Sequence, residues 1–260
     1  MTNTESPASI AARLRDARRD QCTLEPPAGG LPLTVRQAYA VQDELTALHL
    51  AEGRRIAGYK LGYTSLAMRQ QMGIDAPNYG PLYQDMIVQS ESTVDGYMQP
   101  RLEPEVAVVL ARDLSGAGLL LHEVAAAVAE VRSCLEIVDS VWRDYGFSFE
   151  MNTADGSSAA GVVLGPELDV DPIDCHRVQV RLDVNGRQVA TATGAAAGGH
   201  PLHGVAWLCA QLAAKNAGLC EGQVVITGGL TAALPLDPGS RIEATYDRNT
   251  TVAVRRARQF

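Results

Sequence analysis

The sequence lacks the features that would place it in a membrane, in an oxidising compartment or on nucleic acid. It has no apolar run of the roughly 18 residues that a membrane-spanning helix needs. Its N-terminus, Met-Thr-Asn-Thr-Glu-Ser-Pro, has no basic segment followed by an apolar one, so we expect no secretory signal. The five cysteines include no Cys-x-x-Cys pair, which argues against a zinc site or a disulfide framework and favours a reducing cytoplasm. The net charge of -8 argues against nucleic acid as the main partner.

Several common catalytic motifs are also absent. There is no P-loop, no G-x-G-x-x-G after a strand, no H-E-x-x-H and no G-x-S-x-G, so the sequence does not support a nucleotide-binding, zinc-protease or serine-hydrolase site of those types. Among the five histidines, His200 follows Gly198-Gly199 and precedes a predicted helix at Pro201. It is a candidate for substrate binding, and a purely structural histidine is the alternative.

What the sequence does contain is a pair of carboxylates on one predicted strand, Arg101 to Leu110. Side chains alternate along a strand, so Glu103 and Glu105 share one face, and that face continues with apolar residues. Two like charges at the mouth of a buried strand repel each other, and burial makes their ionisation costlier. A divalent cation with a preference for oxygen ligands, such as magnesium, calcium or manganese, would relieve both costs.

A third carboxylate, Glu136, lies inside the apolar segment Cys134 to Asp139, which also reads as a strand. Three glutamates on two buried strands would leave open positions on an octahedral ion for water and a chelating substrate. The alternative is that Glu103 and Glu105 mark a solvated strand start and that Glu136 pairs with an arginine. Spacing alone does not separate the two interpretations, since buried carboxylates need partners of some kind.

Lys60 is one of only two lysines, and it lies in a glycine-containing strand, Ile56 to Ser65. Because Gly58 and Gly62 would let the backbone approach a ligand closely, Lys60 is a candidate for holding a substrate carboxylate. An exposed lysine on a surface turn is the alternative.

The overall pattern predicts a mixed, β-rich α+β architecture, because many strands alternate irregularly with few helices. Residues 1–55 are predicted to be an N-terminal helical appendage, and residues 56–260 a β-rich catalytic domain. The composition and turn signals predict the following elements: helices beginning at Pro7, after Thr34 and at Pro201; an Ala-rich helix from Leu121 to Arg132; a loop from Asp75 to Tyr83; a strand from Gly161 to Leu164; a hairpin from Val178 to Thr193; and strands at Val224 to Thr227, Ile242 to Tyr246 and Thr251 to Arg255.

These residues together resemble the 2-keto-4-pentenoate hydratase and 4-oxalocrotonate decarboxylase family of the fumarylacetoacetate hydrolase superfamily. The resemblance runs from about Thr34 onward and depends on the order and spacing of short motifs that are weak singly. They are Gly58-Tyr-Lys-Leu-Gly-Tyr-Thr-Ser65, the loop Gly73 to Met86, Glu103-Pro-Glu105, Leu135-Glu-Ile-Val-Asp-Ser140, Ala154-Asp155, Gly199-His-Pro201 with Trp207-Leu208, and Val225-Ile-Thr-Gly228.

The resemblance implies a β-sandwich-like roll of the fumarylacetoacetate hydrolase type, carrying N-terminal helices. It implies Mg²⁺ or Mn²⁺ on Glu103, Glu105 and Glu136, and catalytic or substrate-binding roles for Lys60, Asp155 and Ser158. It further implies a homo-oligomer and a cytoplasmic lyase acting on a small 2-keto acid, of the kind used in aromatic catabolism.

The sequence also departs from the family's usual residues at four positions. The family commonly has arginine where this chain has Val141, asparagine where it has Gly156, leucine where it has Gly198 and serine where it has Gly229. These departures leave open which function the chain has. The first candidate is a hydratase of 2-hydroxy-2,4-dienoates. The alternatives are a decarboxylase on the same scaffold, a divergent biosynthetic member that acts on a larger, less polar keto acid, a hydrolase of a carbon–carbon bond, and a non-catalytic partner subunit.

Overall fold

The structure is a computed structural model that describes residues 5–247 and 249–258. Two N-terminal helices begin at side-chain caps: the Ser6 hydroxyl accepts from the Ser9 amide, and Thr34 and Gln37 form a complete capping box. The α-helices are α1 (Pro7–Arg19), α2 (Val35–Ala51), α3 (Leu66–Met72), α4 (Leu121–Ala125), α5 (Phe149–Ala154) and α6 (Pro201–Ala213).

The strands form two sheets. In chain order the strands are β1 (Ile56–Gly62), β2 (Asn78–Tyr83), β3 (Ile87–Gln89), β4 (Ser92–Val94), β5 (Arg101–Leu110), β6 (Val128–Val138), β7 (Ala159–Glu167), β8 (Gln179–Val184), β9 (Arg187–Thr193), β10 (Val224–Ile226), β11 (Leu234–Pro235), β12 (Arg241–Tyr246) and β13 (Thr250–Arg256). Within the described residues, the larger sheet has the order β2-β1-β10-β5-β6-β7-β3 with β11 beside β5, and the smaller has the order β4-β13-β12-β8-β9. Parallel and antiparallel neighbours occur in both sheets.

The two sheets pack face to face, with β12 and β13 lying against β6 and β7. Their facing side chains form a continuous apolar core that also includes the buried face of α6. The buried Tyr246 hydroxyl lies 2.7 Å from the Glu105 carbonyl oxygen and 2.8 Å from that of Cys134. The smaller sheet thus supports β5 and β6 directly behind the predicted carboxylate cluster.

Helices α1 and α2 pack on a second buried cluster that includes Val141, Trp142 and Met151. Gln42 of α2 is buried, and its amide donates to the carbonyl oxygens of Tyr79 and Thr153, both at 2.8 Å. The helical segment therefore contacts the same region of chain, residues 141–154, that forms one wall of the cleft described below.

Two predicted elements were wrong. The helix predicted over 121–132 ends at Ala125, and β6 begins at Val128, because the alanines of this stretch are followed by residues that pair along β5. The loop predicted over 75–83 contains β2, all six residues of which are buried. Gly80 and Pro81 suggested a turn, but β2 is an edge strand, where the missing amide hydrogen of proline is tolerated.

Candidate active site

The three glutamates predicted as ligands lie together on one face of the larger sheet. Glu103 of β5 is directly opposite Glu136 of β6, and Glu105 follows two residues along β5 on the same face. One carboxylate oxygen from each residue lies within 4.8 Å of the other two. The alternation of β5 and its register with β6 are therefore sufficient to assemble the cluster.

The protein surrounds this cluster with little compensating charge. Burial and then repulsion by Glu136 raise the pKa of Glu103 to about 7, although Lys60 and Arg101 oppose the shift. Burial and the other two carboxylates raise the pKa of Glu105 well above its usual range, and burial raises that of Glu136. The isolated cluster is thus electrostatically unfavourable, which is the condition that a bound cation relieves.

Several carboxylate oxygens have no protein partner. Glu105 Oε1 and Glu136 Oε2 are buried without a hydrogen-bond partner among the described residues, whereas Glu105 Oε2 accepts from the Gly228 amide at 2.7 Å. Buried acceptors without donors are costly, and three convergent carboxylates form a hard-oxygen donor set. These residues fit a divalent cation such as Mg²⁺ or Mn²⁺.

Lys60 is buried, with 4 % of its surface exposed, so the alternative of a surface lysine is wrong. Its Nζ forms an ion pair with Glu136 Oε1 at 3.1 Å and donates to the Ser157 carbonyl oxygen at 3.0 Å. Burial opposes the charge on Lys60, but the three glutamates outweigh it and raise its pKa. Lys60 is therefore a cation beside the cluster, where an anionic substrate would need one.

The glycines beside Lys60 are required for close packing. A Cβ at Gly58 would lie 1.8 Å from the Val224 carbonyl oxygen, and one at Gly62 would lie 2.2 Å from Asn78 Oδ1. Gly62 also lines the cavity beside Lys60, so close approach of a ligand at this position stays a prediction.

The cluster opens into a cleft with a cavity of about 310 Å³, and both Glu103 and Lys60 line it. The lining residues are Lys60, Leu61, Gly62, Tyr63, Thr64, Ser65, Arg101, Glu103, Val138, Tyr145, Phe147, Asn152, Ser157, Ser158, Gly229, Thr231 and Ala233. The cleft is large enough for a small organic acid, and its walls combine aromatic and apolar groups with a few polar ones, as ligand sites commonly do.

Ser158 lines the cleft, as predicted for a substrate-contacting residue, and its neighbour Ser157 does as well. Both residues have left-handed backbones, with φ of 59° for Ser157 and 56° for Ser158. Non-glycine residues adopt this region rarely, and such strain is concentrated at functional sites. The strained turn directs the Ser157 carbonyl oxygen toward Lys60, while the Ser158 hydroxyl accepts from Asn152 at 2.9 Å.

Asp155 lies behind Ser158 and does not line the cleft. Its Oδ2 is 3.4 Å from the Ser158 hydroxyl, and its Oδ1 accepts from Arg18 of α1 at 3.0 Å. Burial raises the pKa of Asp155 to about 6 in spite of Arg18. The structure therefore places Asp155 in contact with the site through Ser158 instead of against a substrate.

His200 is not brought to the cleft. Its Nδ1 accepts from the Leu202 amide at the start of α6, and its Nε2 lies 3.0 Å from the Ile173 carbonyl oxygen. His200 therefore caps α6 and joins it to the preceding segment, as expected of a purely structural histidine.

Arg101 and Tyr145 line one wall of the cleft and were not predicted as site residues. The Arg101 guanidinium lies 4.0 Å from the centroid of the Tyr145 ring. The Tyr145 hydroxyl lies 3.0 Å from the carbonyl oxygens of Gln99 and Val138, which fixes the ring. Alternation along β5 places Arg101 on the glutamate face, so that signal was available, whereas the position of Tyr145 depends on a loop.

The four departures from the family pattern have separate surroundings. Val141 is fully buried in the cluster beneath α1, and Gly156 and Gly198 have φ of 74° and 65°, which favour glycine. A Cβ at Gly229 would lie 2.5 Å from Glu103 Oε2. Only this last departure touches the carboxylate cluster, and glycine there leaves room for the Glu103 side chain as it lies.

No helix in the described part of the chain is both long and apolar enough to cross a membrane.

Comparison with known proteins is consistent with this geometry. The profile of the fumarylacetoacetate (FAA) hydrolase C-terminal family matches residues 56–255. The chain is 35% identical to a 2-keto-4-pentenoate hydratase of Burkholderia vietnamiensis, covering 88% of this chain and 89% of the relative. It is 31% identical to a 2-hydroxyhexa-2,4-dienoate hydratase of Comamonas testosteroni, covering 93% and 94% of the two chains.

A solved structure extends the similarity to three dimensions. The 4-oxalocrotonate decarboxylase of Pseudomonas putida G7, complexed with magnesium and adipate, superposes with a TM-score of 0.91 at 31% identity. The match covers 96% of this chain and 97% of that one, so it includes the N-terminal helices as well as both sheets. The predicted roll with N-terminal helices is confirmed.

Proposed function

We propose that this chain, which belongs to the fumarylacetoacetate hydrolase family, is a metal-dependent lyase that adds water to a 2-hydroxy-2,4-dienoate through its 2-keto-enoate form. The observation that carries the proposal is the cluster of Glu103, Glu105 and Glu136, with unpartnered oxygens, beside buried Lys60 in an open cleft. The similarity of the chain to two hydratases supports hydration as the reaction.

The proposed site holds Mg²⁺ or Mn²⁺ through the three glutamates. Such an ion, when bound, supplies Lewis-acid polarisation of the keto oxygen. Lys60 binds the substrate's carboxylate or the oxygen on which negative charge develops, because it is a buried cation whose pKa is raised. The Ser158 hydroxyl, held by Asn152 and close to Asp155, positions the substrate or a water molecule on the facing wall.

In the proposed reaction the 2-keto group of the substrate is the electron sink. Proton transfer converts the 2-hydroxy-dienoate into an α,β-unsaturated 2-keto acid, whose C4 is electrophilic. Water adds at C4 and a proton returns to C3, so the net reaction is the addition of one water molecule. Lys60 stabilises the oxygen that carries charge during both proton transfers, and the apolar part of the cleft wall limits the access of other water.

Decarboxylation of a 4-oxalocrotonate-like 2-keto diacid is the second candidate. The same sink would accept the electron pair released when a distal carboxylate leaves as carbon dioxide. The structural match supports this second candidate, since the decarboxylase of Pseudomonas putida G7 shares the fold over 96% of this chain.

Direct assay of the isolated protein tests the proposal. Purified chain with Mg²⁺ or Mn²⁺ should remove the ultraviolet absorption of 2-hydroxypenta-2,4-dienoate and form a 4-hydroxy-2-keto acid, identified by nuclear magnetic resonance. EDTA should abolish the reaction. Release of carbon dioxide from 4-oxalocrotonate without hydration would select the decarboxylase. No turnover of either substrate by the metal-loaded chain would favour the non-catalytic partner subunit instead.

We further propose a cytoplasmic homo-oligomer in which residues 1–55 are an appendage of the catalytic region. The smaller sheet ends at β9, an edge strand that exposes Val189, and exposed edges are frequently covered by a second chain. Light scattering at micromolar concentration should give at least twice the 27.7 kDa of one chain, and a particle of 27.7 kDa would contradict the proposal.

A further inference from the structure

Tyr63 has an unusual backbone at the point where β1 enters the cleft. Its φ of 54° is in the left-handed region, which bulky side chains rarely adopt because it strains the backbone. Arg69 stabilises this conformation by donating to the carbonyl oxygens of Tyr63 at 2.8 Å and Thr64 at 3.1 Å. A strained, externally held aromatic residue indicates that the position of its side chain matters.

The side chain of Tyr63 lines the cleft, and its ring packs against Phe149 with 5.5 Å between ring centroids. Its hydroxyl makes no hydrogen bond to any backbone or side-chain atom that the structure describes. The other tyrosine of the cleft differs, because the Tyr145 hydroxyl is already committed to two carbonyl oxygens. Tyr63 therefore presents a fixed ring with an available donor.

Tyr63 lines the same cleft as Lys60 and Glu103, so it faces the cavity into which the carboxylate cluster opens. Burial raises the pKa of Tyr63 to about 12, Lys60 lowers it and Glu103 raises it, so both charged groups act on the phenol. The phenol therefore stays protonated near neutral pH and is a neutral hydrogen-bond donor. A neutral donor can approach an anionic oxygen beside the three glutamates without competing for their cation.

We propose that the Tyr63 hydroxyl is a second oxyanion donor, which acts with Lys60 on the oxygen of the 2-keto acid that gains negative charge as the enolate forms. This inference rests on the proposed function. A fixed donor that faces developing charge stabilises the transition state more than the ground state, because its hydrogen bond strengthens as the charge grows.

Tyr63→Phe tests the proposal, since it keeps the ring against Phe149 and removes only the hydroxyl. Calorimetry of the magnesium-loaded protein should show a roughly 10- to 100-fold loss of affinity for oxalate, a planar dianion that mimics the enolate. The loss for pyruvate, which mimics the ground state, should be smaller. Turnover should fall by about 100-fold or more, mainly in kcat, with magnesium affinity unchanged.

Tyr59→Phe is the matched control. Tyr59 is on β1, which ends one residue before Tyr63, and it is also mostly buried, but it packs against Tyr79 and does not line the cleft. Removing the Tyr59 hydroxyl should leave oxalate affinity and turnover unchanged.

Three results would overturn the inference: wild-type oxalate affinity in Tyr63→Phe, an equal loss in both tyrosine variants, or a parallel loss of magnesium affinity. If wild-type protein turned over neither dienoates nor 4-oxalocrotonate, the proposed function would fail. The oxalate and pyruvate titrations would still decide whether Tyr63 binds the anion.

Discussion

Glu105 is fully buried, has one oxygen without a partner among the described residues and, unlike Glu136, forms no ion pair with Lys60, so it is an informative residue to change. Glu105→Gln should remove most magnesium binding, measured by calorimetry, and most activity. Removing one of three repelling carboxylates should also raise the melting temperature of the metal-free protein, because their burial without a cation is unfavourable.

Glu130→Gln provides the control for Glu105→Gln, because Glu130 is also on a strand of the larger sheet but is partly exposed and paired with Arg132. It should change neither magnesium affinity nor the melting temperature by much, as expected of an exposed ion pair. Undiminished magnesium affinity in Glu105→Gln would sink the assignment of the cluster as the metal site.

Lys60 should separate substrate chemistry from metal binding. Lys60→Met keeps the length and apolar bulk of the side chain but removes the charge, so turnover should fall by roughly a hundredfold or more. Because Nζ lies 3.1 Å from Glu136, its loss removes a cation that competes for the cluster. Magnesium affinity by calorimetry should therefore be retained or should increase. Near-wild-type turnover would contradict a catalytic role.

At the residue scale, the sequence could predict only what the periodicity of a strand determines. The shared face of Glu103 and Glu105 follows from alternation, and the structure adds the register that places Glu136 opposite Glu103. The burial of Lys60 could not be predicted in this way, since it depends on β1 pairing with β10 and β10 with β5. The strained conformation of Tyr63 likewise depends on Arg69 of α3, which holds its carbonyl group.

At the scale of elements, the sequence predicted helix starts and turns correctly where the constraint lies within a few neighbouring residues. The start of α2 after Thr34 and the hairpin between Val178 and Thr193 depend on local signals, and both were predicted correctly. Strand β2 was missed because its glycine and proline are explained by neighbours distant in sequence. A Cβ at Gly80 would lie 1.9 Å from the Gly156 carbonyl oxygen, and Pro81 pairs with Tyr59 at a sheet edge.

Helix α2 offers a test of how the N-terminal helices support the cleft. Gln42→Leu removes an amide that donates to two buried carbonyl oxygens, on β2 and α5, so the free energy of unfolding should fall by about 2 kcal/mol or more. Activity should fall as well, because α5 carries Asn152 of the cleft wall. Chemical denaturation and steady-state assay below the melting temperature measure the two effects.

Gln211→Leu is the control for Gln42→Leu, because Gln211 is partly exposed on α6 and does not line the cleft. The same substitution there should leave both stability and turnover nearly unchanged. If Gln42→Leu lost stability but kept full activity, the helices would support the fold without positioning the cleft wall.

At the scale of the whole molecule, the carboxylate cluster should make the stability of the protein depend on pH. The direction of that dependence should differ between the metal-free and the metal-bound protein. The pKa of Glu103 is about 7 in the folded protein, against 4.5 for an ordinary glutamate. Between those values the folded state binds more protons than the unfolded chain, so the unfolding free energy of the metal-free protein should decrease as pH rises through this window. A pair of buried glutamates behind Glu103 acts in the same direction.

Metal binding reverses this trend, because the glutamates must be ionised to act as ligands and binding releases their protons. The melting temperature with excess magnesium should therefore exceed that with EDTA by a margin that widens between about pH 5 and pH 8. At a free concentration 100 times the dissociation constant, the margin corresponds to about 2.7 kcal/mol. Glu105→Gln should show almost no margin at any pH. A margin in the wild-type protein that stayed constant across the window would mean that the cation binds elsewhere, since only a site built from these raised-pKa carboxylates links magnesium binding to proton release in this range.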